Sequence, residues 1–243
     1  MKKILTFILL ITLWQIIFVV LGNDNYILPS PKETFIAFKD VLFSGEIIDH
    51  ALVSLKRVVV GFLMASFVGI IFALILGYFK KFGEFILPVV EMLRPIPPIA
   101  WIPIAILIFG LGDTSAYFIV FLGAFFPIFT NTFFGVISLP KIYSNIALTF
   151  ETKKMIFLKK ILIPFSLPYL FIGLKIGIGM AWMSVIAAEL IGAQSGLGYF
   201  IQLNRLLLHT DKIIVGMILI GLLGYFLNKI ISVLEKSLIP WKK

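Results

Sequence analysis

Long apolar runs separated by short charged stretches form the main pattern of this chain. Runs with few or no charged residues cover 4–23, 58–79, 95–112, 114–140, 161–194 and 213–228, and the fifth is interrupted only by Lys175 and Glu189. A helix needs about 20 mostly apolar residues to cross the hydrocarbon core of a bilayer. The pattern therefore predicts an all-α integral membrane protein with six transmembrane helices.

Composition agrees with this pattern. Hydrophobic residues make up 60% of the 243 residues and charged residues 14%, and the mean hydropathy is +1.10. A soluble domain carries about 25% charged residues, so the soluble class is excluded. The chain has no Cys and two His, which excludes disulfides and thiolate metal sites and argues against a histidine metal centre. We expect no metal site and no catalytic residue in this chain.

The Lys and Arg residues divide unevenly between the two faces that six spans create. Thirteen of the 21 fall on the face that carries both termini, six fall on the other, and acidic residues bring these faces to +10 and −1. The positive-inside tendency makes the basic face, with both termini, cytoplasmic. The net charge of +9 therefore reflects topology and contact with anionic membrane lipid, and it does not indicate nucleic acid binding.

The predicted helices form a single transmembrane domain, 1–243. Residues 1–22 are expected to be a retained first helix, because Leu21-Gly22-Asn23 lacks the small-x-small cleavage signal of a secretory leader. An external segment, 23–56, follows. It contains an amphipathic helix that begins near Pro29-Ser30-Pro31, which either lies in the headgroups or contacts an external partner. A five-helix core, 57–238, includes a cytoplasmic loop at 141–164.

The loop at 141–164 is the one long, basic, amphipathic segment between the apolar runs. Apolar anchors at three- and four-residue spacing are typical of a helix that docks into a groove on a partner. Ile146, Phe150, Phe157 and Leu158 are candidate anchors, and the lysines at 153, 154, 159 and 160 offer electrostatic steering. The alternative is a solvated basic loop that only follows the topology.

A second unusual segment, Arg94 to Pro103, carries four prolines within a predicted span. Proline in a helix interior removes a backbone hydrogen bond, and irregular backbone at membrane depth is tolerated only where protein or water satisfies it. The segment therefore predicts either a simple kink or a break that lines or gates a pathway.

Charged and small residues mark the fifth run. Lys175 either has a function within the membrane or extends its side chain to the interface. Glu189 falls near the outer boundary, where it either caps the helix end or faces the mouth of a path. Gly173, Gly177 and Gly179 predict close helix packing.

The register Asn145-Ile-Ala147, Glu151 and Ile161-Leu-Ile163-Pro164 resembles the EAA loop of binding-protein-dependent ABC importer permeases. Asn145, Ile146 and Glu151 depart from the family's Glu, Ala and Gly. Because Glu151 replaces a glycine of a tight turn, we expect either a different turn or a partner groove that accepts a longer helix. The runs at 93–98, 125–132, 182–189 and 195–198 resemble the nitrate, sulfonate and taurine group of these permeases.

The resemblance implies a type I ABC importer fold in a bacterial or archaeal inner membrane. It implies a second permease copy, expected to form a homodimer, two cytoplasmic ABC ATPases that bind ATP and Mg, and an external substrate-binding protein. This chain would then be a transport subunit and no enzyme, because 192–198 lacks the Lys-Ser/Thr of a phosphate-binding loop. The expected substrate is a small anion or a small organic solute. A self-sufficient secondary transporter is the alternative.

Two sets of site residues follow from the resemblance. The expected contact with the ATPase consists of Asn145, Ala147, Phe150, Glu151, Lys153, Lys154, Phe157, Leu158 and Pro164. The expected translocation path or gate consists of Pro97, Pro98, Trp101, Asn131, Trp182 and Glu189.

Overall fold

The computed structural model describes residues 2–22 and 27–240, and throughout these ranges the regular secondary structure is helical. The predicted all-α class is confirmed. The N-terminal part holds α1 (Lys2–Val20), α2 (Pro31–Phe43), α3 (Glu46–Tyr78) and α4 (Lys80–Leu93). A 3₁₀ turn (Pro98–Trp101) leads into α5 (Ile102–Phe109), followed by α6 (Asp113–Ile137), α7 (Lys141–Thr149) and α8 (Lys154–Phe157). A π-helical segment (Leu158–Leu162) joins α8 to α9 (Ile163–Gly192), and α10 (Leu197–Leu206) and α11 (Thr210–Leu238) complete the chain.

The chain forms two compact units. One comprises Met1–Lys56 and Ile186–Leu223, and the other comprises Arg57–Val185 and Gly224–Lys243. We call them the first and the second unit.

Helices α3 and α6 pack in parallel in the second unit. A Cβ placed on Gly61 would lie 2.5 Å from Val120, and one placed on Gly77 would lie 2.5 Å from Val136. The contact advances by the same number of residues along both helices, so they run in the same direction. Because glycine has no side chain, a branched side chain of α6 can approach the α3 backbone at these two positions.

Helix α9 packs antiparallel to α6. Gly135 of α6 lies against Tyr169 near the start of α9, and Gly123 lies against Ser184 near its end. Gly173 and Gly177 both lie against Ile128. The sequence prediction of a close-packing face is therefore confirmed at these two glycines, whereas Gly179 has nothing within 4 Å of a built Cβ.

The contacts of α11 with α9 fix the remaining direction in the second unit. Trp182 of α9 packs on Gly224, and the Lys175 ammonium forms an ion pair with Glu235. The later residue of α9 meets the earlier residue of α11, so these two helices are antiparallel. The charge of Lys175 is thus paired with a carboxylate of α11. The ion pair gives Lys175 a partner within the protein, in place of a side chain that extends to the membrane interface.

Within 2–22 and 27–240, four helices are long and apolar enough to cross a membrane, and α4 with the 98–109 segment forms a fifth candidate that is bent by 86°. Because α3 and α6 are parallel, the chain must return between them, and the bent pair provides this crossing. The predicted span 95–112 is thus only half of a broken span. The predicted total of six requires α1 as well, whose apolar part in the described residues, Ile8–Val20, is shorter than the other spans.

Helix α2 begins with a capping box in the first unit. Ser30 Oγ accepts from Glu33 N at 3.2 Å, and Glu33 Oε2 accepts from Ser30 N at 3.2 Å, so two otherwise unpaired backbone donors are satisfied. The predicted amphipathic helix after Pro29-Ser30-Pro31 is present. Residues 46–56, predicted to be part of an external segment, are the first turns of α3, and residues 23–26 lie outside the described ranges.

Candidate coupling segment and translocation-path residues

The short helix α7 ends in a tight turn at Glu151. Thr152 N donates to Ala147 O at 2.8 Å, and Glu151 N donates to Leu148 O at 3.0 Å. These two bonds define a Schellman motif with Glu151 at the position usually taken by glycine. The backbone of Glu151 has φ 48°. Glu151 therefore makes the left-handed turn itself, and α7 is not extended past it.

We expect Glu151→Gly to stabilise the protein. The left-handed conformation costs a residue with a Cβ about 1–2 kcal/mol, and glycine loses part of that advantage through its greater freedom in the unfolded chain. The net gain should be about 1 kcal/mol, seen as a higher midpoint of thermal unfolding in detergent. Glu151→Ala keeps the Cβ and is the matched control. A gain in the alanine variant equal to that of the glycine variant would assign the effect to the lost carboxylate.

The side chains of 141–164 divide into an outward and an inward set. Phe150 and Leu148 are 78% and 76% exposed, and Asn145, Ile146, Glu151, Lys153 and Lys154 are exposed or partly exposed beside them. Ala147 is buried, and Phe157, Leu158 and Pro164 are partly buried. Phe157 and Ala147 line a cavity of about 230 Å³ with Tyr78, Ser144, Leu148, Thr152 and Lys154.

The candidate coupling residues differ in exposure. Ala147 and Phe157 line the same cavity as Tyr78 at the end of α3, so this part of the segment borders the rest of the second unit. Phe150 is presented outward. Leu148 is 76% exposed and also lines this cavity, and it is not among the residues predicted from the sequence. The segment also begins its return earlier than predicted, because α8, the π-helical segment and α9 form one helical stretch from Lys154.

A cavity of about 250 Å³ in the second unit contains two of the candidate path residues, Pro98 and Asn131. Asn131 Nδ2 donates to Pro127 O at 2.8 Å within α6. The cavity is also lined by Arg94, which begins the segment predicted to form a kink or to line or gate a pathway but is not among the six path candidates. The remaining lining residues are Ile96, Leu122, Gly123, Phe126, Pro127, Ile176 and Met180.

The other path candidates of the second unit lie outside that lining. Pro97 is exposed and Trp101 is partly buried. The Trp101 Nε1 atom has no hydrogen-bond partner among the described residues. Trp182 is buried against Gly224, where it contributes to the packing of α9 on α11.

Glu189 lies in the first unit and is only 1% exposed. Ser54 Oγ lies 2.8 Å from both carboxylate oxygens and donates to them, and Gly198 N donates to Oε2 at 3.0 Å. Ser54 Oγ in turn accepts from Leu197 N at 2.8 Å. The carboxylate thus holds the turn that begins α10 and faces the interior of this unit.

His50 adds a further contact to the same turn. Gly196 N donates to His50 Nδ1 at 3.1 Å, and the imidazole lies 5.7 Å from the Phe200 ring. Gly196 has φ 105°, and a Cβ there would lie 2.3 Å from the Glu189 carboxylate. Glycine is therefore required for both the turn and the close approach of the carboxylate.

The structure thus combines several helices that are able to span a membrane with an exposed amphipathic segment, and one of the spans is broken at prolines. This combination is typical of a transport permease. The sequence profile described as "Binding-protein-dependent transport system inner membrane component" matches residues 65–243. The chain belongs to this family of ABC transporter permeases.

Three curated relatives cover nearly the whole chain. A putative ABC transporter permease of Methanocaldococcus jannaschii is 38% identical over 97% of this chain and 90% of its own length. The putative aliphatic sulfonates transport permease SsuC of Bacillus subtilis is 31% identical, with coverage of 100% and 88%. The nitrate import permease NrtB of Synechococcus elongatus is 34% identical, with coverage of 95% and 86%.

A solved structure supports the fold. A chain of the MetNI methionine ABC transporter in an inward-facing conformation aligns with a TM-score of 0.63 and 18% sequence identity, covering 76% of this chain and 94% of its own. The expected type I ABC importer permease fold is confirmed.

Proposed function

We propose that this chain is the permease subunit of an ATP-driven importer and that the segment 141–164 docks a separate cytoplasmic ATPase. The observation that carries the proposal is the outward set of this segment. Leu148 and Phe150 expose apolar side chains at the end of a short rigid helix, and Lys153 and Lys154 flank them. Exposed apolar anchors beside cations suit a hydrophobic groove with an acidic rim.

The inward set explains how a docked partner would move the spans. Tyr78 at the end of α3 and Phe157 in α8 line the same cavity beside α7. A second cavity of about 180 Å³ adds Val136 of α6 and Leu162 to this region. We expect a displacement of α7 to reach the ends of α3 and α6 through the residues that surround these two cavities.

The remaining parts of the importer are supplied by partners. ATP and Mg bind to the ATPase subunits, a second copy of this chain completes a homodimeric path, and an external substrate-binding protein delivers the cargo. The protein lies in a bacterial or archaeal cell membrane with both termini in the cytoplasm, since that orientation places the basic loop inside.

The cargo is a small anion or a small organic solute. This is supported by the relatives named as nitrate and aliphatic sulfonate permeases, both of which are named for anions. The Glu189 carboxylate does not oppose such a cargo, because it is enclosed by Ser54 and Gly198.

The test is co-purification of the ATPase from the native host in mild detergent, with the tag on this chain. Wild type should retain an ABC ATPase, identified by mass spectrometry and by ATP hydrolysis in the eluate. We expect Phe150→Asp to reduce the recovered ATPase at least about tenfold, because an anion replaces an apolar anchor at the interface centre. Phe43→Asp is the matched control, since Phe43 is 86% exposed on α2, outside the coupling segment.

Equal loss of ATPase in the Phe43 and Phe150 variants would show that the docking surface has been assigned wrongly. Recovery of the wild-type chain without any ATPase in several detergents would favour the self-sufficient transporter instead.

A further inference from the structure

We propose that Arg94 makes the cavity beside the proline break an anion-recognition site and that it selects for anionic cargo on the path. This inference rests on the proposed function. Its physical basis is the charge and donor content of the cavity in the second unit.

Arg94 is positioned by the end of α4. Its backbone N donates to Val90 O at 3.0 Å, so the last turn of α4 fixes its Cα. Pro95, Pro97 and Pro98 follow, and none of them has a backbone N–H. Hydrogen-bond donation at this break therefore depends mainly on the guanidinium, which offers five donors in a planar fork.

The lining of the cavity gives it one net positive charge. Apart from Arg94, its lining residues are apolar, glycine or proline, with the exception of Asn131, and none of the ten is acidic. The volume of about 250 Å³ lies below the range of about 300–1,000 Å³ that is typical of drug-sized ligands. A small oxyanion fits both the size and the charge.

Neighbouring charges do not cancel that of Arg94 within the lining. Glu91, one turn earlier on α4, is exposed, as Arg94 is, but only Arg94 lines the cavity. Lys175 lies next to the lining residue Ile176 on α9, but its ammonium is paired with Glu235. A planar guanidinium also matches the oxygen spacing of nitrate, sulfonate and carboxylate groups better than an ammonium does.

The test uses the fact that the chain has no cysteine. A single thiol is introduced by Met180→Cys on α9, because Met180 lines the same cavity as Arg94. Its modification rates with the sulfonatoethyl and the trimethylammonioethyl methanethiosulfonate reagents are measured by intact mass in non-ionic detergent at low salt. The ratio of the anionic to the cationic rate reports the local potential.

We expect Arg94→Gln to lower this ratio on the order of tenfold, because a unit charge in the lining of the same cavity acts in opposite senses on the two reagents. Arg94→Lys should preserve most of the ratio. Glu91→Gln should not lower it. A control thiol from Thr149→Cys, on α7 outside the cavity, should show the same ratio with and without the Arg94→Gln substitution.

An unchanged ratio at position 180 in Arg94→Gln would overturn the inference while leaving the co-purification test of the importer untouched. An equal decrease of the ratio at positions 149 and 180 in Arg94→Gln would also overturn the inference, since the effect would then not be specific to the cavity. Failure of the ATPase to co-purify would instead reject the proposed function, whatever the thiol rates show.

Discussion

Glu189→Leu is expected to destabilise the first unit strongly and to abolish transport. The substitution removes the acceptor of both the Ser54 hydroxyl and the Gly198 backbone N–H. Each buried donor left without a partner costs about 1–3 kcal/mol. Loss of two such bonds at one turn amounts to a large part of the stability of a typical domain, which is about 5–15 kcal/mol.

The measurement is the yield of monodisperse protein and its thermal unfolding in detergent. The unfolding midpoint of Glu189→Gln should fall between those of wild type and Glu189→Leu. Glutamine keeps one acceptor oxygen, but its amide NH₂ group then faces groups that also donate hydrogen bonds. Glu84→Leu is the control for loss of a carboxylate, since Glu84 is exposed on α4. Equal unfolding midpoints for Glu189→Leu and wild type would show that the network does not hold this turn.

Asp113→Ala is the second substitution with a large expected effect. Arg57 of α3 is 2% exposed, and its Nη2 and Nε atoms lie 2.7 Å and 2.8 Å from Asp113 Oδ1 at the start of α6. Removing one partner of a buried ion pair costs about 3–5 kcal/mol, because the other charge loses this interaction at a place where water does not replace it. We expect about 3 kcal/mol, the lower end, because the Asp113 side chain is 37% exposed.

The two single substitutions of the Arg57–Asp113 pair should differ in the stability that they remove. This difference distinguishes the cost of burying a charge from the attraction between the two charges. Arg57→Met leaves behind Asp113, which water still reaches, so this variant should lose less stability than Asp113→Ala. The double variant should unfold near the midpoint of Arg57→Met alone, since the buried charge is gone in both. If the double variant unfolded below both single variants, the two side chains would act independently and the pair would not be coupled.

The segment 141–164 was predicted in part from the sequence. Its position and basic, amphipathic character could be predicted because they are local properties of 141–164. The turn at Glu151 could not, because the usual preference for glycine there is overridden by two backbone hydrogen bonds to Ala147 and Leu148. The partial burial of Phe157 beside a cavity that Tyr78 also lines could not be predicted either, because Tyr78 belongs to a helix distant in the sequence.

The candidate path residues were also predictable only in part from the sequence. The break near Arg94 follows directly from prolines at 95, 97, 98 and 103. Whether Arg94 lines a cavity depends on where α6 and α9 lie, and no local pattern contains that information. Glu189 is the clearest case, since a position near a span end predicted a cap or a path mouth, whereas its carboxylate is enclosed by Ser54.

The membrane class, the position of the basic amphipathic segment 141–164 and the broken span could all be predicted from the amino-acid sequence, and the resemblance of its motifs indicated the permease family. These properties follow from hydrocarbon length, charge distribution and proline chemistry, which act within a few turns of one chain segment. The parallel packing of α3 on α6, the enclosure of Glu189 and the place of Arg94 in a cavity became visible only in the folded protein. Each of these depends on contacts between residues far apart in the chain, such as Ser54 with Glu189, and burial is a property of such contacts rather than of any single residue.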